Sequence, residues 1–382
     1  MGTEEKETTG YLPWHIAYEF LKDAYIALGV PEGDAAICTE IMLESDKRGI
    51  KSHGINRFRP IYLERIYAGI QNPVTKIEVV SSGPTTAVID GNNGMGMVIS
   101  YRAMELAIEK AKSYGIGMVA VRNSTHYGIA GYYTEMAAKA GMIGISGSNT
   151  RPSVAPTGGV DNLLGTNPIS VAFPTDEEFP FIFDCATSMI PRGKVEYYAR
   201  TGLKLPEGAV IDREGNEIKN AAWANEAFEK DDAALTPLGG LDTNTGGHKG
   251  YGLSTVVEVL SAALQDGPYL RQLNGLDSSG TKKKNSFGHF FIAINPGAFT
   301  GIDVFKSIAG NIMRELRSST KAAGKDRIYT AGEIEHEKRK DLMNKGLPMN
   351  KALEQDFIDL RDILGLKLQF DFEKKRGADN GI

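Results

Sequence analysis

Apolar residues in the N-terminal part of the chain recur at intervals of three and four, a spacing that places them on one face of an α-helix. This spacing predicts helices over residues 14–28, 31–46 and 57–68. From residue 77 the pattern changes to short β-branched stretches that are broken by Ser-Gly-Pro and closed by Gly-Asn-Asn-Gly. These stretches predict strands separated by turns.

Strand and helix patterns alternate through the middle of the chain. Strands are predicted over residues 118–121, 142–146, 169–173, 181–184 and 288–295, and helices over residues 100–113, 132–140 and 252–264. Such alternation indicates an α/β fold. Beyond residue 301 the sequence is helical again and highly charged, with a predicted surface helix at 333–341. We therefore divide the chain into an N-terminal helical region (1–77), a central α/β domain with a mixed sheet (78–311) and a C-terminal helical region (312–382) that packs with the N-terminal helices.

Composition and charge narrow the class of protein. The 382 residues are 41% hydrophobic and 24% charged, as in an ordinary globular protein. No apolar run approaches the roughly 18 residues that a membrane span requires, and the acidic start of the chain does not resemble a signal peptide. The net charge of −5 argues against nucleic acid as a partner. Because Cys38 and Cys185 lack a C-x-x-C partner, we expect no disulfide framework, no metal site and a cytoplasmic location.

The chain contains the sequence of a dinucleotide-binding fingerprint but not the predicted structure around it. Residues 115–120 satisfy G-x-G-x-x-A, but a predicted helix precedes them and a predicted strand follows. The fingerprint requires the opposite order, so that a pyrophosphate meets the N-terminus of a helix. We therefore reject a Rossmann dinucleotide site at this position.

His126 is the first candidate for proton chemistry. It lies in the sequence NSTHYG at residues 123–128, between a predicted strand and a predicted helix. A junction of this kind exposes side chains on rigid supports, and the ordinary pKa of an imidazole, about 6.5, suits proton transfer near neutral pH. We interpret His126 as a general acid and base.

The segment 51–57 offers a second group of polar side chains. His53 and Arg57 are four residues apart, which is one turn if the segment is helical. The planar guanidinium of Arg57 matches a carboxylate with two parallel hydrogen bonds. The alternative is a helix N-terminus with a surface salt bridge, and residue types alone slightly favour it.

Three further segments could hold an anion or a polar ligand. The glycine-rich run around Lys249 precedes a predicted helix, where free backbone N–H groups and one cation favour phosphate; the alternative is a flexible loop. In the turn 164–168, Thr166 and Asn167 could hydrogen-bond a ligand or each other. Asp184 ends a predicted strand, where a carboxylate can bind ribose hydroxyls, orient an imidazole or cap the next helix.

Six motifs together resemble the type 2 malate/L-lactate dehydrogenase family, in matching order from about residue 10 to residue 350. They are SHGxxR at 52–57, NSTHYG at 123–128, LGTNP at 164–168, DxATS at 184–188, KGYG at 249–252 and GHFF at 288–291. The resemblance implies a non-Rossmann fold that binds NAD or NADP in the central domain, and a homodimer. It also implies that the chain oxidises small 2-hydroxy acids or reduces 2-oxo acids, with malate or L-lactate as the expected substrate.

The resemblance implies roles for individual residues. His126 is the catalytic acid and base. Substrate contacts are expected at Ser52, His53, Arg57, Thr166 and Asn167. Cofactor contacts are expected at Thr150, Asp184, Cys185, Ala186, Arg192, Lys249, Gly250, Gly288 and His289. In the expected oxidation, Arg57 holds the carboxylate, His126 removes the hydroxyl proton and hydride leaves C2 for the nicotinamide.

Alternatives remain open at this point. Within the same family they are ureidoglycolate or sulfolactate dehydrogenase and a cyclic imino acid reductase, since Arg57 serves all of these acids equally. From other classes they are a catalytically silent binding protein and a metal-dependent hydrolase, although no H-x-x-x-H or H-x-x-E-H spacing occurs. The acidic, Asn-rich residues 202–247 and the residues 265–286, which include three consecutive lysines, are expected to be loops that leave the exact substrate open.

Overall fold

The computed structural model describes residues 8–277, 279–284 and 286–373. In chain order these residues form β1 (Gly10–Leu12), α1 (Trp14–Ala27), α2 (Glu32–Lys47), α3 (Glu64–Tyr67), β2 (Glu78–Ser82), β3 (Thr86–Asp90), α4 (Gly96–Tyr114), β4 (Ile116–Ser124), α5 (Ala130–Lys139), β5 (Ile143–Ser148), β6 (Ile169–Phe173), β7 (Phe181–Cys185), α6 (Arg192–Thr201), β8 (Val210–Asp212), α7 (Ala221–Glu229), β9 (Ala233–Leu235), α8 (Gly247–Ala262), β10 (Phe287–Ile294), α9 (Ile302–Ser318), α10 (Glu333–Lys345), β11 (Leu347–Met349) and α11 (Lys351–Leu364).

Two compact units divide these elements. One contains the described parts of Met1–Ala68 and Glu335–Ile382, and the other is Gly69–Ile334. The predicted boundaries at residues 77 and 311 differ from these. Helix α9 stays with the second unit, where its residue Arg314 forms a salt bridge with Asp176.

The unit formed by both chain ends is held by a small sheet and an aromatic cluster. Strands β1 and β11 pair antiparallel, with Leu12 opposite Leu347. The ring of Phe20 on α1 stacks on that of Phe357 on α11, with centroids 4.7 Å apart. Buried aromatic pairs of this kind stabilise packing beyond the area they bury. The predicted helices at 14–28 and 31–46 are confirmed within a residue or two at each end.

The helix predicted over residues 57–68 is irregular. It begins with a 3₁₀ turn at Ile55–Arg57, continues as a π-helical segment at Phe58–Leu63 and ends as α3. Pro60 lies within the π-helical segment and has no N–H to donate, which disfavours a regular α-helix there. Irregular helical turns often occur at functional sites, and this one directly follows the segment 51–57.

The second unit is built on a seven-stranded sheet with the order β2-β3-β4-β10-β5-β6-β7. Within the described residues, β3 and β4 form the one parallel pair of this sheet; its other neighbours are antiparallel. Strand β10 lies between β4 and β5. The last strand of this sheet in the sequence therefore occupies a central position in it. A mixed sheet of this order differs from the mainly parallel sheet of a Rossmann domain.

Helices cover the sheet, and a small additional core lies beside it. Helix α4 packs on β4 and β10, α5 on β5 and β6, and α8 on β10. Residues 202–247, which we predicted to be loops, instead contain α7 and the antiparallel pair β8 and β9. This region buries Val210, Phe228 and Leu235 together with Val195 of α6. These elements were not predicted because each is short and has few apolar residues in a polar region of the sequence.

The order of elements predicted around the fingerprint at residues 115–120 is confirmed. Gly115 ends α4 in a left-handed conformation, with φ of 83°, and β4 begins at the next residue. A helix therefore precedes the fingerprint and a strand follows it.

Candidate active site

His126 lies in the loop between β4 and α5, so the predicted strand-to-helix junction is confirmed. The imidazole is partly exposed. Its Nδ1 lies 3.4 Å from the backbone nitrogen of Gly128, which donates a long and therefore weak hydrogen bond. The loop that carries the ring is fixed at several other points.

Asp90, at the end of β3, fixes the residues just before His126. Its Oδ2 accepts hydrogen bonds of 2.8 Å from Arg122 Nε and from Asn123 Nδ2, and its Oδ1 accepts one from the backbone N–H of Asn92. Asn123 has a φ of 50°, in the left-handed region that asparagine tolerates better than most residues. The buried carboxylate therefore holds the chain in an uncommon conformation as it leaves the sheet.

Thr125 ties the His126 loop to the start of α4. Its hydroxyl accepts a hydrogen bond from the N–H of Gly96 and donates one to the carbonyl of Gly94, both at 2.9 Å. A Cβ at Gly96 would collide with the carbonyl oxygens of Thr125 and His126. The two backbone segments approach so closely that only glycine fits at position 96.

Aromatic rings support the residue that follows His126. The ring of Tyr127 stacks on one side against His289, at 4.5 Å between centroids, and on the other against Tyr133, at 5.3 Å. The hydroxyl of Tyr133 donates a hydrogen bond to the carbonyl of Tyr127. The three rings form one buried column, which fixes the backbone next to the catalytic candidate.

His289 itself is fully buried in the sheet. Its Nδ1 lies 2.8 Å from Ser148 Oγ, and burial lowers the pKa of its imidazole to about 3. It is therefore neutral at physiological pH. A direct contact of His289 with a cofactor stays a prediction, and in this structure the side chain faces protein groups.

Asp184 connects the end of β7 to the helix that follows His126. Its exposed carboxylate accepts a 2.6 Å hydrogen bond through Oδ2 from the N–H of Gly131, in the first turn of α5. A carboxylate at this position stabilises the positive end of the helix dipole. Helix capping was one of the roles predicted for Asp184. The structure shows that Asp184 caps α5, which precedes it in the sequence, and not the following helix α6.

The turn 164–168 is held by Asn167. Its Oδ1 accepts from the N–H of Thr150, at 3.1 Å, and its Nδ2 donates to Glu258 Oε2, at 2.7 Å. Asn167 is fully buried, whereas Thr166 is partly exposed, with its hydroxyl 3.5 Å from that of Thr150. The Asn167 side chain is thus held by protein groups, and its direct contact with substrate stays a prediction.

Thr187 and Leu238 join this turn to the start of α8. The Thr187 hydroxyl donates to the carbonyl oxygen of Asn167, at 3.0 Å, and its own carbonyl accepts from the N–H of Leu238, at 2.8 Å. A Cβ at Gly250 would collide with the backbone of Leu238. The structure therefore brings the predicted residues Thr150, Thr166, Ala186 and Gly250 into one region of the second unit.

Helix α8 begins earlier than predicted. Residues 246–252 were expected to be a loop before a helix starting at residue 252, but the helix starts at Gly247, after Gly246 with a φ of 91°. Two early N–H groups already have acceptors, since Gly247 donates to Asp242 and Lys249 donates to Gly246. The anion cradle expected here is thus smaller, although the ammonium of Lys249 lies on an exposed residue of the first turn.

Arg192 and Cys185 have defined surroundings in the structure. Arg192 begins α6, donates to Glu229 Oε1 at 2.7 Å and lies over the ring of Phe228 at 4.6 Å. Burial raises the pKa of the Cys185 thiol to about 11, with a smaller contribution from Asp184. Cys185 therefore stays a neutral thiol, and any contact it makes with a cofactor is not that of a thiolate.

Gly288 supports the strand end that leads to Thr150. Its N–H donates to Asn149 Oδ1 at 2.8 Å, and its carbonyl accepts from the N–H of Asn149 at 3.3 Å. A Cβ at Gly288 would collide with the carbonyl of Ser261 on α8. This glycine is thus required where β10 passes the helix.

The residues Ser52, His53 and Arg57 lie in the other unit. His53 Nδ1 is 3.0 Å from Ser52 Oγ, and Arg57 Nε donates to the carbonyl of Ser52 at 2.7 Å. Burial lowers the pKa of His53 to about 4, and the nearby charge of Arg57 contributes. The three side chains therefore form one polar cluster whose imidazole is neutral at physiological pH.

A cavity of about 380 Å³ lies beside α8 and contains none of the predicted site residues. Its walls are mainly apolar and include Tyr251, Val259 and Leu270, with Glu258 at one side. Such walls do not match a small hydrophilic acid. Among the residues that the structure describes, no three His, Cys, Asp or Glu side chains are grouped to hold a metal ion. No described helix is long and apolar enough to span a bilayer.

Comparison with known proteins places these features in a family. The family model for malate/L-lactate dehydrogenase matches residues 13–357. The chain is 42% identical to a malate dehydrogenase of Pyrococcus abyssi, over 93% of this chain and 95% of that protein. It is 39% identical to an L-sulfolactate dehydrogenase of Methanocaldococcus jannaschii, over 91% and 95%. The crystal structure of malate dehydrogenase from Entamoeba histolytica, at 40% identity, covers 94% of this chain and 99% of its own, with a TM-score of 0.91.

The protein is therefore an oxidoreductase that acts on CH–OH groups, in a class that uses a nicotinamide cofactor. The chain belongs to the malate/L-lactate dehydrogenase family, as the six motifs predicted.

Several supporting residues were not singled out from the sequence. Asp90, Thr125 and Glu258 act through hydrogen bonds to residues far away in the chain. Asp90 ends a strand-like run, as Asp184 does. Glu258 lies in the middle of a helix, where its sequence neighbours give no indication of its buried partners.

Proposed function

We propose that this protein catalyses the reversible oxidation of malate, or of a closely similar 2-hydroxy acid, with NAD or NADP. Support comes from the high similarity to proteins named malate dehydrogenase over almost the whole chain. The observation that carries the proposal is the placement of His126 in the loop after β4, on backbone held by Asp90 and Thr125.

Each proposed role matches the surroundings of its side chain. Arg57 binds the substrate carboxylate, while its Nε bond to Ser52 holds the plane of the guanidinium. His53, neutral because of its lowered pKa, hydrogen-bonds the acid without competing with Arg57 for it. His126 takes the proton of the C2 hydroxyl during oxidation and returns it during reduction.

The second unit offers groups that fit a nicotinamide dinucleotide. The exposed Lys249 at the start of α8 suits a phosphate, and the exposed carboxylate of Asp184 suits ribose hydroxyls. Thr150, Thr166 and Ala186 lie in the region joined by Thr187 and Leu238, and provide hydroxyl and backbone groups. A bound nicotinamide supplies the hydride acceptor or donor. The residues of the chain orient it and exchange the proton.

We also propose a cytoplasmic homodimer. Helix α9 exposes one row of apolar side chains at four-residue spacing, which a second copy of the chain would cover: Val304, Ile308, Ile312 and Leu316. Both cysteines are free thiols, as expected in a reducing compartment. Light scattering at two protein concentrations tests the dimer, and a mass of one chain at both would contradict it.

An assay with small 2-oxo acids tests the proposed activity. Oxaloacetate, pyruvate, sulfopyruvate and a cyclic imino acid are each offered with NADH and with NADPH, and the absorbance of the reduced coenzyme is followed. We expect oxaloacetate to give the highest kcat/KM. A higher value for sulfopyruvate, the acid that corresponds to the second relative, would assign that substrate instead. Absence of turnover with every acid and both coenzymes would favour a silent binding protein.

A further inference from the structure

A buried carboxylate lies under the segment that contains Ser52, His53 and Arg57. Asp46 is in the last turn of α2 and is 4% exposed. Its Oδ2 accepts a 2.8 Å hydrogen bond from the backbone N–H of Ile55. This bond ties the segment to the last turn of α2.

Gly54 allows the segment to pass directly over that carboxylate. A Cβ at Gly54 would collide with both oxygens and with the Cγ of Asp46. The φ of Gly54 is −85°, a value that other residues also adopt. The requirement for glycine is therefore the close approach to Asp46 and not an unusual backbone conformation.

Hydrogen bonds link residues 54 and 55 to Arg57 and His53, the candidates for substrate binding. The N–H of Arg57 donates to the carbonyl of Gly54 at 2.9 Å, and Arg57 Nε donates to the carbonyl of Ser52 at 2.7 Å. Ser52 Oγ in turn lies 3.0 Å from His53 Nδ1. A shift of Gly54 and Ile55 would therefore turn both the guanidinium and the imidazole.

Burial of the Asp46 carboxylate costs free energy, and the nearby charge of Lys51 does not offset that cost. Removal of a carboxylate from water is unfavourable, and here it raises the pKa to about 7, against the smaller effects of the Ile55 bond and of Lys51. An apolar side chain would fill the same space without this cost. What Asp46 adds is an acceptor for Ile55.

We infer that Asp46 is a positioning residue for acid binding: together with Gly54 it sets the backbone at Ile55 and so the orientation of His53 and Arg57. The inference rests on the proposed function of that segment.

Kinetics of four variants test this inference. Asp46→Ala removes the acceptor, Asp46→Asn keeps an oxygen that can accept from Ile55, and Gly54→Ala forces the segment away from the carboxylate. We expect Asp46→Ala and Gly54→Ala to raise the KM for the acid about tenfold or more, with a smaller change in kcat and an unchanged coenzyme Kd. Asp46→Asn should recover most of the loss.

Glu44→Gln is the matched control. Glu44 is another buried carboxylate of α2, but it pairs with Arg48 and Arg339 and not with the segment 51–57. We expect this variant to lower the Tm while leaving the KM for the acid unchanged. A KM that follows Tm across all four variants would overturn the inference and reduce Asp46 to a stability role.

Hydrogen exchange at the Ile55 amide provides a readout that does not require turnover. In the wild-type protein this amide should be protected, and Asp46→Ala should raise its exchange rate about tenfold or more, the scale expected when a local hydrogen bond is lost. Equal exchange in wild type and Asp46→Ala would overturn the positioning role even if the assay succeeds. Normal protection in a protein that reduces no acid would instead contradict the proposed function alone.

Discussion

The ring of Tyr127 lies nearly parallel to that of His289, with 5° between the planes and 4.5 Å between the centroids. This stack joins the residue after His126 to β10, a strand that the chain adds more than a hundred residues later. His289 thus supports the loop that carries His126 through the ring of Tyr127, as a buried and neutral ring.

Because the pKa of His289 is lowered, we expect the stability of the folded protein to depend on pH. The unfolded chain takes up a proton at this imidazole below an ordinary pKa of about 6.5, whereas the native protein does so only near 3. Between these values the unfolded state binds more protons, so stability falls as the pH falls. Replacement His289→Phe keeps a ring and removes the titration. We expect it to reduce this acid sensitivity by about 1 kcal/mol per pH unit below pH 6.

Urea unfolding between about pH 7 and pH 5 measures this dependence. Tyr133→Phe serves as the control. Tyr133 is buried in the same column of rings, and its replacement does not change a group that titrates in this range. An equal slope in wild type and His289→Phe would show that His289 is not the source of the acid sensitivity.

Gly96→Ala tests the backbone contact beneath His126. The added methyl group would collide with the carbonyls of Thr125 and His126, so the loop must move. We expect kcat to fall about tenfold or more, since small displacements of a catalytic group have large effects on rate. Gly33→Ala, in the first turn of α2 where a Cβ meets nothing within 4 Å, is the matched control. Unchanged kcat in Gly96→Ala would mean that the loop position does not control catalysis.

Asp184 carries two predicted roles that variants can separate. Asp184→Asn keeps an oxygen for the N–H of Gly131 but loses the charge, whereas Asp184→Ala loses both. Loss of the cap should destabilise the alanine variant by about 1 kcal/mol, and more than the asparagine variant, which loses only the interaction of the charge with the helix dipole. If the carboxylate also binds ribose hydroxyls, both variants should raise the coenzyme Kd, measured by the fluorescence of NAD(P)H. An unchanged Kd in both would leave Asp184 as a helix cap alone.

His126→Asn addresses the proton transfer itself. We expect turnover to fall about 100-fold or more, the usual scale for loss of a general acid and base. The coenzyme Kd should not change, because the imidazole is assigned to the substrate hydroxyl. Retained turnover in this variant would move the proton chemistry to His53.

The sequence predicted the elements that carry strong local patterns. The helices near the N-terminus and the strands of the sheet show regular apolar spacing, and the motif around His126 lies at the predicted junction. The region 202–247 was missed because its short strands and helix gain their stability from a shared core rather than from their own patterns. The start of α8 was placed too late because its first turn is rich in glycine, which has low helix propensity.

The supporting residues of the site were harder to predict for a different reason. Asp90, Asn167 and Asp46 act through hydrogen bonds to residues that the fold brings close, and a lone sequence contains no record of those distances. Roles of individual residues toward substrate and cofactor were inferred from the family resemblance, and the variants above test them.

Transfer of deuterium from C2 of the substrate tests the central claim most directly. Malate that carries deuterium at C2 is oxidised by the protein with NAD or NADP, and the reduced coenzyme is examined by mass spectrometry and NMR. We predict that the deuterium appears at C4 of the nicotinamide, and that His126→Asn slows this transfer without redirecting it. Oxidation of malate with the deuterium lost to solvent would contradict direct hydride transfer between the acid and the coenzyme.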